Sequence, residues 1–214
     1  MFPPTITELA QLRLLPPSIL TPILLTNLKA VLKVSEEYTG HGFYYLQQIE
    51  DASLIYLVGE WDSLEQHMQG FIPSQANQEL LESLKDMVGV EWLLHIGIGA
   101  EGLPNMSGRE ERSKDGEFSI GDIEGKENKG ADNGRKRVWC ITRFFVKEGE
   151  KDSFLEFMSL EGRSGGGGWR VDKEEGREEF VWFEETSGSG ELDYKGVEKF
   201  VVGVDVKHVR SLRL

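Results

Sequence analysis

The stretch "LIYLVGEWDSLEQH", residues 54–67, decides the fold. Apolar residues stand at both parities from Leu54 to Val58, so this β-rich run is expected to be buried on both faces. After Trp61 the pattern changes. Ser63 and Gln66 have the spacing of a capping box, with Asp62 as a second candidate cap, so a helix is expected to start here with His67 one turn inside it. The junction is therefore strand to helix, with Trp61 closing the strand.

Working outward, "TITELAQLRL" reads as a strand and "TPILLTNLKAVLKVSEEYTG" as a helix. Thr21 is its N-cap, Pro22 its first residue and Gly40 lies just past its end, while Leu24, Leu28, Val31 and Leu32 share one face. "FYYLQQIE" precedes the quoted strand across Asp51 and Ala52, the shape of a tight hairpin. After the quoted stretch, Gly70 and Pro73 divide a short helix from a longer one capped by Ser74, which also places Asn77 in a first helical turn. "GVEWLLHIGI" then closes a β-α-β-β-α-β unit, a ferredoxin-like sheet with its helices on one face.

Residues 101–136 are dominated by Gly and charged residues and are too poor in apolar side chains to offset the entropy of ordering. They read as a linker with the compositional signature of disorder, between a first unit at 1–100 and a second at 137–214. The second unit repeats the order in worn form: "RVWCITRFFV" as a strand, "EKDSFLEFMSL" as a helix, "GWRVDKEEGREEFVWFEE" as a hairpin and "GVEKFVVGVDV" as the last strand. "TSGSGELDYK" is too short and Gly-rich for the second helix, and "SGGGGW" reads as a hairpin or loop connection. The triplet "GVE" opens both closing strands, at 89–91 and 196–198. The fold class expected is α+β, two ferredoxin-like repeats forming an intrachain pseudo-dimeric barrel whose second repeat lacks its second helix.

Composition narrows the function. A net charge of −13 with basic residues scattered among acids argues against nucleic-acid or anionic-membrane partners. One cysteine, Cys140, excludes an internal disulfide framework and reads as a small core residue in a reducing compartment. No apolar run reaches the roughly 18 residues of a membrane span, so a cytoplasmic protein is expected. H-E-x-x-H, G-x-x-x-x-G-K-[ST] and G-x-S-x-G are all missing, and four scattered histidines favour neither a metal nor a cofactor.

On "LIYLVGEWDSLEQH", "IPSQANQELLESLKD" and "VEWLLHI" the chain resembles the antibiotic biosynthesis monooxygenase-like family of dimeric α+β barrels, of the fungal tandem-repeat type. The likeness covers residues 1–100 well and 137–214 by element order alone. It implies a scaffold on which some members oxygenate polyketide-like phenols or anthrones with no metal or flavin, and others degrade haem. It also implies that Trp61 packs in or beside a cavity, as a ligand wall or as a lock between strand and helix.

Against that background, His67 and His95 are the candidate general bases, since imidazole titrates near neutral pH. Trp92, Leu94, Ile96 and Ile98 share one face of their strand and Leu93 and His95 the other, so if the first face meets the helices, His95 points into the barrel. Tyr44, Tyr45 and Tyr56 could donate hydrogen bonds to a ligand's oxygens, and Glu60 is a conceivable partner for His95. His41 reads as a loop residue, and His208 lies in a basic tail. The haem-degrading relatives carry their histidine later on the helix than His67, which weighs against haem. The sequence thus points to a small apolar or aromatic ligand, handled by a monomeric pseudo-dimer with further homodimerisation left open. Its function is either cofactor-independent monooxygenation or, alternatively, a non-enzymatic binding or assembly role.

Overall fold

The computed structural model describes residues 5–106, 137–160, 164–172, 178–186 and 195–214. Eight strands form one antiparallel sheet in the order β4-β1-β3-β2-β8-β5-β7-β6. The first half supplies β1 (Ile6–Leu14), β2 (Phe43–Gln48), β3 (Leu54–Trp61) and β4 (Val88–Ile96). The second supplies β5 (Val138–Val146), β6 (Gly165–Trp169), β7 (Glu178–Thr186) and β8 (Val201–Leu212). Each half has the same internal order, its first strand lying between its fourth and its third. They join along β2 and β8, from Tyr45↔Leu212 to Gln48↔Val209.

At the other seam the edge strands β4 and β6 meet in an isolated antiparallel bridge between Ile96 and Arg170. The Gly97 N–H donates to the Trp169 carbonyl at 2.9 Å and the Val171 N–H to the His95 carbonyl at 2.9 Å, closing the sheet into a barrel. Closure removes two exposed edges. The Gly run 165–168, expected as a connection, is part of β6, because close approach there needs bare backbone. A Cβ on Gly166 would strike the Gly102 carbonyl, and one on Gly168 would strike Ile96 and Ile98.

Alternation along the strands sorts the side chains into three cores. Leu9, Leu46, Tyr56, Val58, Leu94, Ile96, Trp139, Ile141, Val181, Phe183 and Val209 fill the barrel interior from both halves. Ile6, Ala10, Leu12, Ile55, Leu57 and Trp61 face outward from the first half, against Leu24 and Leu28 of α1 (Pro22–Thr39) and Leu80 and Leu84 of α2 (Gln75–Leu84). Phe144, Val146 and Phe180 face outward from the second half, against Phe154 and Met158 of α3 (Lys151–Leu160).

The local signals in α1 and α2 hold. The Thr21 and Ser74 hydroxyls accept from the N–H groups of Leu24 and Asn77, and Gly40 ends α1 in the left-handed region at φ 78°. The β2–β3 connection spans 49–53 rather than two residues, because the Asp51 carboxylate accepts from the Ser53 N–H at 2.9 Å and hydroxyl at 2.6 Å and so builds a wider turn. "GVE" lies inside β4 at 89–91 but in a 3₁₀ turn at 196–198, so the two triplets are not structural equivalents.

Of the segment 101–136, residues 107–136 lie outside the described residues, while Leu103 and Met106 pack against the barrel interior. Among the described residues no α-helix follows β7, and no helix is long and apolar enough to cross a membrane.

Candidate active site

Four polar or aromatic side chains meet on the outer face of the first half, beneath the helices. Glu8 and His95 are cross-strand partners on β1 and β4. Their neighbours Leu9, Leu94 and Ile96 point into the barrel, so alternation turns Glu8 and His95 outward. The expectation that His95 points into the barrel is thereby reversed: the face of Trp92, Leu94 and Ile96 is the interior one. Both faces of β4 are apolar, and periodicity alone could not assign them.

His67 comes down onto this face from a short π-helix, Gln66–Phe71, in the β3–α2 connection. The chain turns into it through Asp62 and Ser63: the Ser63 hydroxyl accepts from the Gln66 N–H at 3.1 Å, and the Gln66 amide oxygen accepts from the Asp62 N–H at 2.9 Å. Single-turn π segments are frequent at functional sites. The His67 ring stacks on Trp61 with centroids 4.1 Å apart and planes 15° apart. Around Trp61 stand Phe43 at 5.4 Å, Phe71 at 5.1 Å and Tyr38 at 6.2 Å between ring centroids. Gly59 makes this arrangement possible, because any Cβ there would collide with the Phe43 ring. Tyr38, 44% exposed, is the outer ring of the group, whereas Trp61, His67 and His95 are at most 2% exposed.

The polar atoms form a chain. The Trp61 indole N–H donates to Glu8 Oε2 at 2.8 Å, and His67 Nε2 lies 3.6 Å from the same oxygen. His67 Nδ1 is 2.6 Å from His95 Nε2. His95 Nδ1 is 3.2 Å from Asp172 Oδ2, and the His95 backbone N–H donates to Asp172 Oδ1 at 3.1 Å. Asp172 follows β6 and so belongs to the second half. Arg170 Nε donates to Asp172 Oδ1 at 3.0 Å, and Arg170 also reaches Glu179 at 3.3 Å, which accepts from Arg143 Nε at 2.5 Å. The Arg143 guanidinium in turn lies 4.4 Å from the centroid of the Trp92 ring. The network runs from the outer layer of the first half, across the seam, to the barrel interior.

Burial sets the charge states. Loss of solvation raises the Glu8 carboxyl to about 7, against the lowering effect of the Trp61 hydrogen bond and of His95. Loss of solvation, reinforced by His95, drops His67 to about 3, so its ring is neutral at physiological pH. Burial also acts to raise Asp172, but hydrogen bonds from the His95 ring and backbone and from Arg170 hold it below the ordinary aspartate value. A carboxyl that changes charge near neutrality beside two touching imidazoles can accept a proton and pass it on.

The other expected residues separate. Tyr45 faces this outer layer, and its buried hydroxyl has no hydrogen-bond partner among the described residues. Tyr56 lies in the barrel interior, donating to Gln48 at 2.8 Å and accepting from Gln11 at 2.6 Å, with Tyr44 packed beside it. Glu60 is not the partner of His95: it accepts from the Thr5 hydroxyl at 2.5 Å and lies 3.5 Å from His41, because its parity on β3 is opposite to that of Trp61. His41 also contacts Asp62 at 2.8 Å. His208 sits within β8, with Nδ1 2.7 Å from Glu50.

Two site residues escaped sequence reasoning. Glu8 had a usable signal, an acid on the same face as Ile6, Ala10 and Leu12 within an otherwise apolar strand. Asp172 had none, because only barrel closure brings it to His95.

Among the described residues no group of three or more His, Cys, Asp or Glu is placed to hold a metal ion. Nor does His67 fit as a haem ligand, with Nδ1 on His95 and Nε2 turned to Glu8. An open cavity of about 400 Å³ lies elsewhere, at residues including Glu101, Leu103, Arg137, Trp139 and Glu185, and contains no histidine.

No family model matches the sequence, and no curated protein sequence does either. Solved structures do match. A candidate monooxygenase from Fusobacterium nucleatum superposes with a TM-score of 0.62 at 11% identity, over 100% of this chain and 94% of its own. An anthrone oxidase-like protein matches with a TM-score of 0.53 at 12% identity, over 98% and 92% of the two chains. A candidate chlorite dismutase gives 0.55 at 8% identity, over 98% and 95%. With the eight-stranded order described above, the chain has the dimeric α+β barrel fold of the antibiotic biosynthesis monooxygenase-like and chlorite dismutase-like proteins, built within one polypeptide.

Proposed function

We propose that the protein is a cofactor-independent monooxygenase for a small, flat, electron-rich aromatic molecule such as a polyketide-like phenol or anthrone. The observation that carries this reading is the 2.6 Å contact between two fully buried imidazoles, backed by Glu8 at one end and Asp172 at the other. Burying such a network costs stability that an apolar layer would not, and strain of that kind concentrates where a protein acts. Fold likeness to proteins named monooxygenases and anthrone oxidase-like permits this chemistry without selecting it.

The ligand binds in the outer layer of the first half, not in the barrel interior, which side chains fill. Displacement of the half-exposed Tyr38 ring opens a slot against Trp61 while His67 stays in place, and there the Tyr45 hydroxyl can donate to a ligand oxygen. The Glu8 carboxylate takes a proton from the acidic C–H or O–H of the ligand, and His67 Nε2 relieves it. The carbanion then transfers electrons to dioxygen, a C–O bond forms, and loss of water from the resulting hydroperoxide leaves a carbonyl. One dioxygen is consumed and one water released, with no external reductant.

Oxygen uptake with a panel of anthrones and hydroquinones tests the proposal. Uptake above the buffer rate by wild type and its loss in Glu8→Gln are expected; neither uptake nor binding with any member would overturn it. A second reading, a non-enzymatic barrel with a binding or assembly role, is favoured by the filled interior. It predicts binding without uptake, or neither.

A further inference from the structure

The two donors on Asp172 Oδ1, the backbone N–H of His95 at 3.1 Å and Nε of Arg170 at 3.0 Å, require an acceptor at that atom. Oδ2 is therefore the oxygen presented to the His95 ring, 3.2 Å from Nδ1. A carboxylate accepts only, so His95 in its neutral form carries its hydrogen on Nδ1 and turns the Nε2 lone pair to His67. His67 Nδ1, 2.6 Å away, must then be the donor, which leaves the His67 Nε2 lone pair facing Glu8. One carboxylate at the seam sets the proton positions of two rings in sequence.

We infer that Asp172, contributed by the second half, is the positioning residue that orients the His95–His67 pair so that protons move from Glu8 toward the seam. A proton arriving at His67 Nε2 displaces the one on Nδ1 to His95 Nε2. His67 stays neutral throughout, and the charge rests on a His95 imidazolium against the Asp172 carboxylate. The reverse order would place a hydrogen on His67 Nε2 and leave Glu8 nowhere to deliver a proton. This assignment deepens the proposed function and rests on it for its catalytic meaning, but the proton order exists in the resting protein.

Asp172→Asn inverts the order by a definite route. Because the two donors fix an oxygen at Oδ1, the amide NH2 of the variant takes the Oδ2 position and donates to His95 Nδ1. His95 must then carry its hydrogen on Nε2, and His67 likewise. The backbone clamp and the shape of the side chain are kept.

The test is long-range proton–nitrogen correlation on uniformly ¹⁵N-labelled full-length protein, in which four histidines give four ring patterns. Wild type is expected to show His67 and His95 both protonated at Nδ1, and folded Asp172→Asn both at Nε2. A neutral ring protonated at Nε2 at either position in wild type overturns the inference, so it stays testable even if the variant does not fold. Unchanged rings in folded Asp172→Asn also overturn it. With an active ligand, kcat is expected to fall at least about 10²-fold in Asp172→Asn while KM changes little. If the tautomers invert but wild type oxidises nothing, the proton order stands and the proposed function falls. If wild type oxidises an anthrone but carries Nε2–H rings, the function stands and Asp172 has another role.

Discussion

The two halves place a histidine at corresponding points of their sheets and treat it differently. In the first half His95 of β4 lies across from Glu8 of β1; in the second, His208 of β8 lies across from Cys140 of β5. Both pairs turn away from the barrel interior. His95 is fully buried under a π-helix and belongs to a continuous polar chain, whereas the His208 side chain keeps 27% of its surface exposed and turns Nδ1 to Glu50 of the opposite half. Cys140 is buried, and loss of solvation, with Glu184 nearby, pushes its thiol up to about 12, so it is an inert core residue. The difference teaches that the second half has no matching buried polar chain among the described residues but lends Asp172 to that of the first, through barrel closure.

The largest effects should come from the aromatic cores. Trp61→Ala and Phe154→Ala each empty a fully buried ring position and should cost about 3–5 kcal/mol by urea denaturation. Only Trp61→Ala should also shift the ring signals of His67 and His95, because it alone removes the ring stacked on His67. Equal histidine shifts in both variants would erase the contrast between the halves.

Next in size is a pH effect. Glu8 titrates at about 7 in the folded chain against 4.5 in the unfolded one, so its contribution to stability is complete below 4.5 and is lost as pH rises to 7. Glu8→Gln abolishes that loss. Relative to wild type, the variant should gain about 2–3 kcal/mol between pH 4.5 and 8 in denaturation series. His67 acts in the opposite direction, its contribution being lost as pH falls from 6.5 toward 3, and it should cancel in the comparison. A flat difference would mean that Glu8 is not desolvated.

The smallest effect should be at His208. His208→Asn removes a partly exposed contact with Glu50 and should change stability by no more than about 0.5 kcal/mol, leaving the His67 and His95 tautomers as they are.

Much of the fold was legible in the sequence because its signals are local. Thr21, Pro22, Gly40 and Ser74 mark helix ends through side-chain or backbone chemistry that acts within one turn. The β-α-β-β-α-β order of elements follows from such signals, and closure into a barrel from burial on both faces of residues 54–58. Less of the site was legible. Trp61 and His67 announce themselves in one junction, but the orientation of His95 depended on which face of an all-apolar strand met the helices. Glu8 carries only a parity signal, an acid on the apolar face of β1. Asp172 stands 77 residues from His95 among other charged residues, and only sheet closure pairs them. The Gly run at 165–168 reads as a connection because glycine ordinarily breaks strands, whereas in β6 the neighbouring backbone occupies the space that side chains would need.

The central claim is that ligand is handled against Trp61 in the first half. The five tryptophans provide five indole N–H reporters: Trp61 in the outer layer, Trp92 and Trp139 at the barrel interior, and Trp169 and Trp182 in the second half. The decisive measurement is a titration of ¹⁵N-labelled protein with an anthrone under nitrogen, so that the ligand cannot be oxidised. The Trp61 indole and the His67 ring should shift or broaden with saturable dependence while Trp139 and Trp182 hold still. Shifts confined to Trp139, at the open cavity, or no shifts with any anthrone or hydroquinone, would contradict the account.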